Sequence, residues 1–269
     1  MEYILELVFE LLLNIPAVRG LLYTIVPAFI LLWYVRKRDM LEPEPPRLIW
    51  SLFGLGALAA VLALVAELGL TLVLLSGIDR ESTLFRIIQW FIVAGLAEES
   101  CKFLMLWART WRDPNFDCLY DGLVYAVAVS AGFALLENIL YLIRGSVAQM
   151  FLRAIISVPS HICFAVFMGT FYSAARRHAH WGEKPLVKLN MALAVIVPAF
   201  VHGLYDFVAD GAAGTVGFWA VVAFAAAMFI VCFVLINRLS GNDEYIANTA
   251  PAAEVKQAEA REKVEEKLR

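Results

Sequence analysis

The chain has 269 residues, of which 61% are apolar and 17% charged, against roughly 45–50% and about 25% in an average soluble domain. One soluble domain of ordinary kind is excluded, and an all-α bundle of membrane-spanning helices with the lipid bilayer as its solvent is expected. A net charge of −3 and the lack of any basic stretch interleaved with aromatics exclude nucleic acid as a partner.

Residues 1–16 place Glu2, Glu6 and Glu10 four apart on one face of an otherwise apolar segment. That pattern predicts an interfacial helix, and the acidic start argues against a cleavable signal peptide. A bilayer span takes about 20 residues, and apolar runs of that length succeed one another at 17–35, 48–76, 84–107, 119–143, 154–175, 187–209 and 215–237. Seven spans are expected within a membrane domain 17–239, with eight as the alternative count. Between the first two runs, Glu42-Pro43-Glu44-Pro45-Pro46 reads as a stiff connector. In the second, Glu67 lies near enough to an end to be interfacial, and Asp121, opening the fourth, reads as a helix cap. The stretch 240–269 is Ala/Glu/Lys-rich, with Glu259 and Lys263, and Glu265 and Arg269, at the i,i+4 spacing of a solvated helix.

Lys and Arg are distributed unevenly among the connections. Those at 36–47, 108–118 and 176–188, with Arg238 and the tail, hold sixteen, whereas the alternate ones hold only Arg80, Arg86, Arg144 and Arg153. This bias predicts a cytoplasmic tail and an N-terminus outside. Cys101, Cys118, Cys163 and Cys232 have no CxxC spacing and read as free, packed thiols.

A charge at the bilayer centre costs about 2.5–3.5 kcal/mol on insertion scales, so ionisable residues within spans mark function. Here they concentrate in four consecutive runs: Glu98, Glu99 and Lys102 in the third, Glu137 with Asn138 in the fourth, His161 in the fifth, and His202 with Asp206 in the sixth. Counted at 1.5 Å per residue from the same side, they reach similar depths. Lys102 is i+4 from Glu98 and i+3 from Glu99, so it can neutralise one carboxylate and leave the other available as a base. Phe133, Glu137 and Tyr141 share a helix face, as do His202 and Asp206, which places an acid where it can fix the tautomer of the imidazole. Pro159 and Pro198, just before the two histidines, predict kinks beside a hydrated pocket.

Glu98, Glu99, Glu137 and Asp206 against Lys102 leave three uncompensated negative charges, which low dielectric disfavours unless protons, imidazolium or a bound cation offset them. Two histidines and several carboxylates suffice for zinc. They suffice equally for metal-free acid–base work, with a carboxylate activating water and a histidine or Asn138 steadying the oxyanion. Three intramembrane protease signatures are missing. Neither His161 nor His202 belongs to an HExxH, Ser130 lacks the preceding glycine of a serine site, and the Tyr-Asp pairs at 120–121 and 205–206 have no Gly-x-Gly-Asp partner.

Five blocks carry a family resemblance: Glu98-Glu99-x-x-Lys102-Phe103, Asp121-Gly122-Leu123-Val124-Tyr125, Gly132-Phe133-Ala134-x-x-Glu137-Asn138-Ile139-Leu140-Tyr141, His161 with Met168-Gly169, and His202-Gly203-Leu204-Tyr205-Asp206-Phe207. In this order, over about 98–207, they resemble the PrsW family of intramembrane proteases, related to the CAAX-protease and bacteriocin-processing superfamily. The resemblance implies a multi-pass peptidase of a bacterial-type plasma membrane that cuts a single-span membrane protein, as characterised members cut anti-sigma factors. It assigns Glu98, Glu99, Glu137, His161 and His202 to the catalytic set. Lys102, Asn138 and Asp206 support them, and His161, His202 and Glu99 are the ligand set if zinc is used. The rival from another class is a proton- or cation-coupled transporter built on the same buried acids and histidines; charges confined to four spans, without a matching second half, favour the enzyme.

Overall fold

Pro45 and Pro46 close the stiff connector and start the longest helix, because Pro46 lacks an N–H where a first turn has no acceptor for one. The computed structural model describes residues 16–144, 146–211, 214–252 and 254. Its helices are α1 (Pro16–Lys37), α2 (Pro46–Leu74), α3 (Thr83–Ile87), a π-helical stretch (Ile88–Leu96), α4 (Ala97–Thr110), α5 (Asp121–Arg144), α6 (Val147–Ile155), α7 (Ser157–His180), α8 (Lys184–Asp210) and α9 (Gly214–Gly241). A 3-10 turn (Ile246–Asn248) and one isolated bridge between Cys118 and Tyr245 complete the secondary structure of the described residues. The chain is thus the all-α, multi-pass membrane protein that its composition implies.

Six helical segments are long and apolar enough to cross a membrane, α6 and α7 counting together. The expected third span is of another kind. It runs from Thr83 to Thr110 through α3, the π stretch and α4, carries Glu98, Glu99 and Lys102, and is not one of the six. Ser82 caps its start by accepting the Phe85 N–H at 3.1 Å.

α5 and α7 form the centre, with Leu123–Val129 and Val158–Met168 contributing the two largest groups of buried apolar side chains. α2 and α9 instead turn Leu68, Leu72, Val216 and Ile230 outward, as helices that face hydrocarbon do. Small residues set the closest crossings. A methyl on Gly132 would run into the Phe53 carbonyl and one on Gly56 into that of Val129, so α2 lies directly on α5. Gly95 and Gly203 similarly let the π stretch approach α8, which brings His202 beside Glu99.

At one end of the bundle the connections 38–45 and 111–120 meet residues 242–252. Leu119 donates its N–H to Glu244 O at 3.1 Å, Ile246 donates to Asp117 O at 2.7 Å, and Trp181 Nε1 donates to Thr249 Oγ1 at 2.9 Å. The first part of the expected free tail is therefore docked, while Glu259 to Arg269 and residues 1–15 lie outside the described residues. Asp121 does not cap its own helix: its Oδ2 accepts from the preceding Cys118 and Asp117 N–H groups at 2.6 and 3.0 Å. Pro159 is also reassigned. It sits in the first turn of α7, where proline is tolerated without a kink, whereas Pro198 is inside α8.

Candidate active site

The π stretch ends at Leu96, and the next helical turn holds Glu98 and Glu99. A wide π turn rotates the succeeding residues about the axis relative to an unbroken α-helix, a device common at functional sites. Here it leads directly into the turn that aims both glutamates into the bundle. Glu99 is fully buried, and its Oε1 accepts from Lys102 Nζ at 2.7 Å and lies 3.0 Å from His202 Nδ1. Glu98 is bound more loosely, its Oε2 being 3.4 Å from the same ammonium and 3.9 Å from His202 Nε2. Lys102 Nζ completes its shell with His161 Nδ1 at 3.2 Å and the face of Phe133, 3.9 Å from the ring centre.

α5 and α7 supply the other half. His161 Nε2 lies 2.8 Å from Glu137 Oε2, and Arg153 Nη2 stands 2.9 Å from Glu137 Oε1. α8 supplies His202, whose Nε2 is 3.2 Å from Asp206 Oδ2. Phe164 stacks on the His202 ring at 4.5 Å and 18°, and the two imidazoles meet edge to face at 5.3 Å. Groups from four separate helical segments, α4, α5, α7 and α8, thus converge in the interior.

Four expected site residues, Glu98, Glu99, His161 and His202, each offer one donor atom within 4.8 Å of the others. Glu137 joins through His161, and Asp206 through His202. Lys102 lies among Glu98, Glu99 and His161. Asn138 differs: it is fully buried, donates to Ala134 O at 2.8 Å and accepts from Arg153 Nε, so its amide holds α5 to α6. Sequence reasoning missed Arg153, Phe164 and Glu67. In the sequence Arg153 bears only on sidedness; in the fold it supplies the second cation that the charge sum lacks.

Two cavities reach this cluster. One of about 400 Å³ is lined by Glu98, Glu137, Arg153, His161, His202 and Asp206, and extends to Gln89 and Asp210 at the end of the bundle, where Arg86 pairs with Asp210 at 2.7 Å. The other, of about 480 Å³, lies between α2 and α5 and also reaches Glu98 and Glu137. Glu98 lines both; Glu99 lines neither.

The donor set fits a divalent cation of the zinc type, since two imidazoles and two carboxylates converge. Glu99 Oε2 is buried without a hydrogen-bond partner. The Lys102 ammonium stands among three of these donors, so the same cradle already accommodates positive charge.

The fold and the site define a class: a polytopic helical protein whose buried acids and imidazoles are reached by a polar and a largely apolar cavity, as hydrolysis inside a membrane requires. A model of the PrsW family of intramembrane metalloproteases matches residues 44–236, and the chain belongs to that family. It is 35% identical over 187 residues to Protease PrsW of Oceanobacillus iheyensis, covering 70% of this chain and 81% of that one. Against Protease PrsW of Bacillus subtilis it is 35% identical over 184 residues, 68% of this chain and 79% of the relative. The Clostridioides difficile protein is 31% identical over 191 residues, 70% and 77% of the two chains. No solved structure matches. The protein is a membrane-embedded peptide hydrolase, and a coupled transporter is not favoured.

Proposed function

We propose that the protein hydrolyses a peptide bond of a single-span membrane protein near the end of its span, with Glu98 as the general base. The observation that carries this reading is the asymmetry of the glutamate pair: Glu98 borders both cavities, whereas Glu99 is fully buried and tied to Lys102 and His202. Glu98 takes a proton from water as the oxygen attacks the scissile carbonyl, and returns it to the departing amine. His161, steadied by Glu137, and His202, steadied by Asp206, face the polar cavity from which water enters. A zinc-type ion would be held by His161, His202 and Glu99, a two-histidine, one-carboxylate set. When bound, it supplies Lewis-acid polarisation of the water or carbonyl.

The cavity end of the bundle carries the connections poor in Lys and Arg, so the charge bias supports cleavage on the extracytoplasmic side. An anti-sigma factor with one span is the first substrate to try. In detergent, the wild type should cleave it and Glu98→Gln and His161→Ala should not; undiminished cleavage by both variants overturns the reading. Metal analysis of the same preparations tests the ion. Ion flux in proteoliposomes that depends on the same residues would reinstate the transporter.

A further inference from the structure

The 480 Å³ cavity between α2 and α5 differs from its polar neighbour in where it opens. Leu64, Leu140, Tyr141 and Ile143 at its rim are exposed on the outer surface of the bundle, the surface that faces hydrocarbon. Its depth is acidic, with Glu98 and Glu137, and one further acid, Glu67, comes from α2. Glu98 has Lys102 at 3.4 Å and Glu137 has Arg153 at 2.9 Å. Among the described residues no hydrogen bond or ion pair reaches Glu67, and it is the sole acid in the 29 residues of α2. A carboxylate in an apolar helix is costly without a cation, and this one faces a space large enough to admit a side chain from outside.

We propose that Glu67 is a specificity-determining residue: it receives the Lys or Arg side chain of an apolar substrate segment that enters between α2 and α5. The proposal rests on the hydrolase reading of the site. The rim matches an apolar, membrane-embedded stretch, and the acidic lining matches a basic side chain within it. Glu67 also borders the polar cavity, so the recognised residue would lie close to the bond presented to Glu98. The side-chain cations of the site are already engaged with Glu98, Glu99 and Glu137, which leaves Glu67 for a cation brought by the substrate.

The test uses the full-length protein in proteoliposomes and single-span substrates identical except for a Lys, Gln or Glu walked through the positions flanking the scissile bond. The quantity read is the ratio of kcat/KM between Lys and Gln substrates at the best position. The wild type is expected to favour Lys by about tenfold, as for one desolvated charge pair. Glu67→Gln should bring the ratio near one, and Glu67→Lys should turn the preference toward Glu. A wild type indifferent to the substitution, or a Lys preference that survives in Glu67→Gln, overturns the proposal. Should none of these substrates be cleaved, the proposed substrate class fails, and binding of the labelled Lys, Gln and Glu peptides decides Glu67 by itself. Tighter binding of the Lys peptide that disappears in Glu67→Gln would support its role, and equal binding of all three would end it.

Discussion

The two ends of the bundle use the same residue type for different work. Toward the cavity end, Glu98, Glu137 and Asp206 face ammonium, guanidinium and imidazole groups beside open space, and Glu99 is held behind them by Lys102 and His202. At the opposite end, Asp39, Glu44, Asp121 and Asp243 accept from fixed donors: the Glu44 N–H, the Tyr125 hydroxyl at 2.6 Å, the Cys118 and Asp117 N–H groups, and the Tyr120 N–H at 2.9 Å. Each of these four leaves its second oxygen buried without a partner. Burial pushes Asp39 up to about 6 and Glu44 up to about 7. Carboxylates held by backbone and hydroxyl donors fasten loops together; those at the cavity end are held by cations and imidazoles.

His202 separates the two ends most sharply. Its replacement by alanine removes the ring that links Glu99 to Asp206, and turnover should fall by roughly 10²–10⁴. Asp206→Asn, which disturbs only the orienting contact, should cost about 10–100-fold. A kcat and KM series on one substrate checks both, and a wild-type rate in His202→Ala would dissolve the distinction between the ends.

A smaller effect is expected when a cation partner is removed. Arg153→Leu leaves Glu137 with His161 alone. Losing one member of a fully buried pair costs about 3–5 kcal/mol. The two side chains here are 21% and 19% exposed, so solvent screening reduces the expected loss to about 2 kcal/mol. Thermal unfolding in detergent measures it, and an unchanged melting temperature would show that Glu137 does not need the pair.

The opposite end should respond to pH. Because the folded-state values of Asp39 and Glu44 are raised, their contribution is complete below the ordinary values of 3.8 and 4.5. It is lost as pH rises through about 6 and 7. Stability should therefore decline across that window, and Glu44→Gln, which retains an acceptor for Tyr125, should flatten the decline and exceed the wild type at pH 8. Melting temperatures from pH 4 to 8 decide this, and a parallel profile for the variant would show that the group is not linked to folding.

Much of the site is legible in the sequence because its signals are local. Spacing alone puts Lys102 within reach of Glu98 and Glu99 and Asp206 beside His202, and the apolar runs mark the helices. The remainder depends on turns of the chain that no short-range pattern records. Arg153 reaches Glu137 only because α6 folds back between α5 and α7. Glu67, interfacial by its place in the apolar run, faces inward through the rotation of α2 set by the Gly56–Gly132 crossing. The π stretch looks like any apolar run, since periodicity over nine residues cannot separate it from an α-helix. The docking of residues 242–252 depends on partners far apart in sequence, as the Tyr120–Asp243 contact illustrates, and Asp121 bonds backward to Cys118 and Asp117, which its place at a helix start does not reveal.

Two adjacent glutamates have different surroundings: Glu98 borders both cavities, whereas Glu99 is buried against Lys102 and His202. Cleavage rate and melting temperature measured together for Glu98→Gln and Glu99→Gln test directly whether their roles differ accordingly. Glu98→Gln is expected to unfold like the wild type but no longer to cleave. Glu99→Gln, which deprives the buried Lys102 ammonium of its nearest counter-charge, should also lose stability. Wild-type turnover by Glu98→Gln would contradict the account.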